Sequence, residues 1–535
     1  MKAISNIMTE KLNLLENFAL MCDGGKTPLW NINAPGLHVL LVAGHYIKFT
    51  GERGKSALLY HSERGDFFNK TYDILNRAGL TKDYIPEAWG YLRELNKFAS
   101  ISKDPETKAN TNLQLFRFIQ EFMVEVLYND FSDRVGKEIE ENKDIFKKLI
   151  VAADSFVVRL PDGNVRLLAG YPWFDQSWCR DAFISMGGLL LLTGRYEYAK
   201  SVFSFFASQQ NRDGLLPNRI YFSGTRDYNN ADGSLWFIEA LNKYRLQVGA
   251  AAGDAFIKKM TLVVNNIIAC YTKPAGDIYL DRDNLVTVPA QWTWMDAAPG
   301  GRPVTPRNGK PVEIQALFYN ALSIGSEFNY ISGDKKLAGE YDALKKEVAK
   351  SINNRFFEYG RAYPFDVVDG DGHSGAVRPN ALFLLSLSEV DDLLTQERKI
   401  AILDTIEKEL LTPYGIRTLT PNDPKYIGTY DTFARIDIKD QAYHQGTAWP
   451  YLLSHYVYAD LKVRKKTDTE LTAIREIISR LLYMIKDKDT VCELFSGSEP
   501  YLPGGTVSQA WSVAAMLEIL YTLNDFTLKK RKQKK

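Results

Sequence analysis

The sequence predicts a mainly α-helical protein, an (α/α)6 toroid of six helical hairpins with a small mixed α/β region ahead of it. Three observations lead there. Residues 145–525 repeat one theme, a helical pattern, a loop and a second helical pattern. The loops alternate between short plain turns and long elaborate ones. The composition, 45% hydrophobic and 24% charged, is that of an ordinary globular chain. Its 535 residues allow two to four domains or one large repetitive one.

The chain divides into 1–135, 136–528 and a basic tail at 529–535. In 1–135, residues 4–20 pattern as an amphipathic helix, with Ile4, Ile7, Met8, Leu12, Leu15 and Phe18 on one face. Residues 37–60 alternate like a hairpin around Gly51-Glu52-Arg53-Gly54, and 67–98 and 111–130 read as helical. A polar stretch at 102–112, containing Pro105, reads as a linker. The role of this region is not legible.

In 136–528 the helices fall at 145–158, 179–193, 195–210, 230–246, 254–271, 312–330, 336–356, 377–388, 395–411, 445–461, 467–486 and 506–524. Leu235, Ile238, Leu241 and Tyr244 mark one buried face, and Phe256, Met260, Val263, Val264, Ile267 and Ile268 mark another. Thr193-Gly194 and Ser332-Gly333-Asp334 are short turns. The long loops are 159–178, 211–229, 272–311, 358–376, 412–444 and 487–505, rich in Trp, Asp, Arg, Gly and Pro. Alternation puts all six on one face of a closed toroid, although a linear stack of helix pairs would share the period.

Several functions are excluded at this level. With 66 basic and 65 acidic residues there is no net pull on nucleic acid or an anionic membrane, and the tail reads as a solvated end. The N-terminus offers no secretion signal, since Glu10, Lys11 and Glu16 interrupt any apolar core. No apolar run is long enough to span a bilayer. Cys22, Cys179, Cys270 and Cys492 form no CxxC pair, so a reducing, cytoplasmic setting is expected. No metal or cofactor is expected. Asp277, Asp281 and Asp283, and Asp366, Asp369, Asp371 and His373, are incomplete calcium loops that read as polar turns. No phosphate loop or serine nucleophile elbow is present.

The chemistry sits in the long loops. Trp178, Arg180 and Asp181 stand together at a helix start, and Asp232 precedes Trp236 at another. Gln291-Trp-Thr-Trp-Met-Asp carries Trp292, Trp294 and Asp296; Glu493 lies before the last helix; His444, Gln445 and Trp449 form a weaker group. Tryptophan faces stack on pyranose rings, and carboxylates, Asn and Arg bind their hydroxyls. Each cluster alone could be a helix cap over a core Trp. Hydrolysis of a glycosidic bond needs one protonated and one ionised carboxyl. Asp181, beside Arg180 and a helix N-terminus, is expected ionised and suited to hydroxyl binding. Asp232 follows the same logic, as cap or sugar ligand. Asp296, among Trp and Met, is expected raised and suits a general acid. Glu493 is the candidate base that activates water.

The segments WFDQSWCRDAFISMGGLLLLTGRYEYA (173–199), YNNADGSLWFIEAL (228–241), TWMDA (293–297), PRNGKPVEIQALFYNAL (306–322), AYHQGTAWP (442–450) and ELFSG…SQAWSVA (493–514) resemble, in order, the amylo-α-1,6-glucosidase domain of glycogen debranching enzymes. The resemblance implies an inverting enzyme that removes a single α-1,6-linked glucose from a glycogen branch, with Asp296 as acid and Glu493 as base. By the same resemblance, Arg180 and Asp181 hold the terminal glucose, and Trp178, Asp232, Trp236, Trp294, His444, Gln445 and Trp449 line the pocket. Ser177 and Cys179 depart from the glycine-containing form of the family's segment. No room remains for a 4-α-glucanotransferase barrel, so a separate transferase or phosphorylase would have to trim the branch first. Two alternatives stay open: a toroid glycosidase for another small α-glucoside such as trehalose, isomaltose or a glucosylated solute, and a non-catalytic glucan-binding scaffold.

Overall fold

Burial sorts the helices into two rings. The computed structural model describes residues 142–533, except 160–163, 172–173, 175, 222–223, 370–373, 433 and 465–466. The region expected at 1–135 with its hairpin, together with Trp173, Asp371 and His373, lies outside the described residues. Thirteen α-helices occur among the described residues: α1 (Lys143–Asp154), α2 (Cys179–Met186), α3 (Tyr196–Ala207), α4 (Gly233–Val248), α5 (Ala250–Tyr271), α6 (Val312–Ser332), α7 (Lys335–Arg355), α8 (Phe383–Ser386), α9 (Gln396–Glu409), α10 (Ile436–Tyr443), α11 (Leu452–Val463), α12 (Asp468–Lys488) and α13 (Ala510–Gln533).

α4 buries every residue from Gly233 to Asn242, and α6 every residue from Val312 to Leu322, so both are covered on all sides. α12 buries one stripe, Leu471, Ile474, Ile478, Leu481 and Ile485, at the three-and-four spacing of a half-exposed helix. The inner helices form a ring in which α2 packs on α4, α4 on α6, α6 on α8, α8 on α11, α11 on α13, and α13 back on α2. Outside it, α3 and α5 flank α4, α7 lies on α6, α9 on α11, and α12 on α1, which packs on α13. The ring closes, which rules out the linear stack.

Closure needs a close approach. α2 continues into a π-helical turn, Gly187–Leu191, which packs on α13. A Cβ at Gly188 would lie 2.4 Å from the Ala514 backbone, so glycine alone lets the first and last inner helices touch. At the other end of the same pair, Gly170–Tyr171 and Ser508–Gln509 form an antiparallel ladder.

Each long loop leads into the N-terminal end of an inner helix, so all six gather at one mouth. The short turns lie at the opposite end, where Asp334 caps α7 by accepting from the Leu337 amide at 3.0 Å. The loops hold more structure than expected. Leu411–Thr412, Gly415–Arg417, Ala448–Trp449, Leu494–Phe495 and Pro503–Gly504 form a five-stranded antiparallel sheet, with Ile416 opposite Trp449 and Ala448 opposite Phe495. This pairing holds 448–449 extended, so the helix expected from 445 begins at Leu452. Likewise the helix expected from 506 begins at Ala510, after the strand Ser508–Gln509. The helix expected at 377–388 is a 3-10 turn, Pro379–Leu382, followed by the single turn of α8. The helix expected at 145–158 stops at Asp154, because Val157–Arg159 pairs with Val165–Leu167. α10 occupies part of a segment expected to be loop.

Two ionic knots tie the loops, one around a buried lysine with partly exposed aspartates and one buried throughout. Lys310, 2% exposed, donates to Asp281 at 2.8 Å, Asp283 at 2.9 Å and Asp369 at 2.7 Å. Lys310 thus holds members of both calcium-like groups, Asp281 and Asp283 of one and Asp369 of the other. Arg307 pairs with Glu313 and, at 2.7 Å, with Asp366, all three buried. Among the described residues no helix is long and apolar enough to cross a membrane.

Candidate active site

The mouth of the ring brings Arg180, Asp181, Asp232, Asp296 and Glu493 together. Arg180 and Asp181 occupy the first turn of α2, and Asp232 immediately precedes α4. Arg180 Nε donates to Asp232 Oδ2 at 2.6 Å, and its Nη1 donates to Asp296 Oδ2 at 3.3 Å. One buried guanidinium thus bridges two carboxylates from different loops. Burial alone would lower the Arg180 pKa, but the flanking Asp232 and Asp296 push it up and keep it charged. Asp232 does not cap α4 with its side chain. Its Oδ1, Arg180 Nη2 and Trp178 Nε1 are buried and have no hydrogen-bond partner among the described residues. Orphaned buried polar groups cost free energy and mark places where a ligand's hydroxyls would be bound.

Asp296 lies at the rim, with 33% of its side chain accessible. Desolvation raises its pKa against the pull of Arg180, and Asp232 adds to the rise. The loop beneath it is held firmly. Thr305 Oγ1 donates to the Met295 carbonyl at 3.0 Å, and Arg307 Nη1 donates to Thr293 Oγ1 at 3.2 Å. Gln291 takes a positive φ of 65°, a conformation that non-glycine residues adopt only where surrounding structure fixes it.

Glu493 is 2% exposed and both its oxygens are engaged. The Tyr443 hydroxyl donates to Oε1, and the Thr506 amide donates to Oε2 at 2.9 Å. A Cβ at Gly505, where φ is +69°, would lie 2.1 Å from Oε2, so only glycine leaves the carboxylate its place. Burial pushes the Glu493 pKa up to about 7; the Tyr443 and Thr506 donors oppose the rise, and Asp296 adds to it. Asp181 departs from expectation. It was expected ionised beside Arg180, but desolvation outweighs that neighbour, and with Glu493 and Asp296 nearby its pKa rises to about 7. Its Oδ1 accepts from Gln509 Nε2 at 3.3 Å.

The remaining expected residues separate into pocket and support. Trp178 is partly exposed, with Phe174 edge-on and the Arg219 guanidinium 5.0 Å over its ring. Trp294, Trp449 and His444 form a buried aromatic block. Trp294 meets His444 and Trp449 edge-on, and His444 stacks on Trp449 at 5.4 Å. Trp294 Nε1 donates to Asn380 Oδ1 at 2.8 Å, and Asn380 donates to Asp366 at 2.8 Å, which links the block to the Arg307 knot. Both ring nitrogens of His444 lack a hydrogen-bond partner among the described residues. Burial, helped by Arg378, Arg180 and Arg307, lowers its pKa far below the usual range and keeps it neutral. Gln445 Oε1 accepts from Arg378 Nη2 at 2.6 Å, a support contact. Trp236 is 3% exposed and packs edge-on against Phe383 and tilted against His455 inside the ring. Reading the sequence assigned no role to Tyr443, Thr506, Gln509 or Asn380. Tyr443 stood in a quoted segment, but its partner is 50 residues away.

A closed double ring of helices, with carboxyls of raised pKa and orphaned polar groups at one mouth, is a helical toroid with a candidate acid–base site. A family profile described as amylo-alpha-1,6-glucosidase matches residues 151–518, and the chain belongs to that family. A glycogen debranching enzyme of Saccharomyces cerevisiae is 23% identical over 485 residues, covering 68% of this chain and 31% of its own length. The match thus takes in about a third of the yeast protein. Among solved structures, a GH78 family rhamnosidase of Bacillus sp. GL1 aligns with a TM-score of 0.50 and 14% identity. It covers 71% of this chain and 35% of its own, and shares the fold.

Proposed function

We propose that this protein is an inverting glucosidase that releases glucose from α-1,6 branch stubs of glycogen or a similar α-glucan. The observation that carries the reading is the pairing of Asp296, accessible and raised, with Glu493, buried and held by two donors. Asp296 in its acid form gives its proton to the glycosidic oxygen as the bond to the anomeric carbon breaks. A water on the opposite face attacks that carbon, and Glu493 takes the water's proton. Arg180, Asp181, Asp232 and Trp178 hold the glucose through its hydroxyls and ring face. Charge balance and the buried free thiols of Cys179, Cys270 and Cys492 fit a cytoplasmic enzyme on a neutral polysaccharide, acting after a transferase or phosphorylase has trimmed the branch.

The test is glucose release from phosphorylase limit dextrin, with the anomer followed by NMR. β-Glucose is expected first, and Asp296→Asn and Glu493→Gln each lose about 100-fold or more in kcat. α-Glucose as first product overturns inversion. Turnover of trehalose or isomaltose in place of the dextrin overturns the substrate.

A further inference from the structure

The end of the ring away from the catalytic mouth holds a second cavity, of about 290 Å³, at the lower end of the range for small-ligand sites. It is lined by residues of the inner helices, among them Glu239 and Lys243 of α4, His455 of α11 and Glu518 of α13. Glu239 lies seven residues beyond Asp232, about 10 Å of helix rise. Between the two ends stands an aromatic layer, in which His455 packs against Trp236, Phe383 and Tyr451. The cavity is therefore separate from the site above.

Its lining is mixed. Leu191, Val457 and Ile519 are apolar. A polar array stands among them. Glu239, 2% exposed, accepts through Oε2 from Asn320 at 2.9 Å and Ser388 at 2.5 Å. Its Oε1 has no hydrogen-bond partner among the described residues, and Lys243 Nζ stands 3.8 Å from it. Lys243 supplies donors, Ser386 shares a 3.0 Å hydrogen bond with His455 Nδ1, and Glu518 adds a second carboxyl. Burial raises the Glu518 carboxyl and lowers His455 to about 3, and Lys243 is attracted to both the Glu518 and the Glu239 carboxyls. An anion would meet two carboxyls, and an added cation would compete with Lys243. A neutral molecule with several hydroxyls and C–H groups matches a lining that mixes hydrogen-bonding and apolar side chains.

We infer that this cavity is a binding site for a neutral polyhydroxyl ligand of single-pyranose size, recognised by Glu239 Oε1, Lys243 and the surrounding hydroxyls. The inference does not depend on which reaction occurs at the mouth.

The probe is D-glucose, titrated into the full chain with histidines isotopically labelled. The chain has six histidines, and His455 is identified through His455→Gln. The expected result is a saturable shift of the His455 signal. Thr522→Trp, placed at a half-exposed position on the cavity wall, fills the entrance and is expected to weaken that response at least tenfold, with thermal stability and glucose release unchanged. Glu239→Gln, judged only if folded, weakens it about tenfold or more. A His455 signal unmoved in the wild type overturns the proposal. So does a shift identical in folded Thr522→Trp, which would originate at the mouth. A response to a primary amine but not to glucose would make the cavity a cation site and likewise overturn it.

Discussion

Tyr443→Phe removes one hydroxyl and keeps the ring that packs against Tyr430, His444 and Trp449. That hydroxyl is one of two donors to Glu493, whose pKa burial has already pushed to about 7. A hydrogen bond to a charged group contributes about 1.5–3 kcal/mol. One pKa unit corresponds to about 1.4 kcal/mol, so losing the donor raises the Glu493 carboxyl by roughly 1–2 units. A base works ionised, and a higher pKa delays ionisation as pH rises. The acid limb of kcat/KM is therefore expected near pH 7 in the wild type and near pH 8–9 in the variant, by the same conversion. At pH 6 the variant is expected to be tenfold or more slower, with part of the loss recovered at pH 9. The assay is kcat/KM against pH on a limit dextrin. An acid limb that stays in place, with an equal loss at every pH, refutes the reasoning, because Tyr443 would then serve packing alone.

Glu493→Gln, expected to lose about 100-fold or more in kcat, is also expected to stabilise the fold at pH 8. A carboxyl raised by burial favours the folded state below its unfolded pKa and loses that contribution as pH climbs to about 7. Denaturant melts should show a gain of up to about 3 kcal/mol at pH 8 and none near pH 4; a loss at pH 8 contradicts this. Gly505→Ala drives a methyl against Glu493 Oε2, so kcat is expected to fall at least tenfold with KM little changed, and an unchanged kcat would show that the carboxylate can shift freely. Lys310→Met leaves three aspartates facing one another, with Arg355 alone beside Asp283 and Asp369. The cost, read from urea denaturation, is about 3 kcal/mol, the low end for breaking a buried pair, since the aspartates keep some water; a cost under about 1 kcal/mol would show the ammonium is dispensable.

The toroid was legible because its signal is local. Helical periodicity and the contrast between plain and elaborate loops are written within short windows, and both placed the functional loops at one end. The strands were not legible. Most are two residues long and pair across gaps, as Ala448 does with Phe495, so no window contains both partners. Asp296 and Glu493 could be nominated from their flanking residues. What holds them could not, since Tyr443 reaches Glu493 across 50 residues and Arg180 reaches Asp296 across 116. Asp181 shows the limit of reasoning from adjacent residues: Arg180 is its neighbour in sequence, yet burial decides its protonation. Trp236 shows another limit, because a Trp beside a carboxylate can serve the core as readily as a sugar.

The Lys310 knot also bears on how such a toroid can be altered. Three of its four members lie in loop 272–311, and Asp369 alone ties loop 358–376 to them. The Arg307–Asp366 pair makes a second tie between the same two loops. Grafting loop 358–376 alone into another toroid would carry in Asp366 and Asp369 without these partners, whereas Lys310 would keep Asp281 and Asp283. An exchange of specificity that draws on loop 358–376 therefore has to bring Arg307 and Lys310 with it.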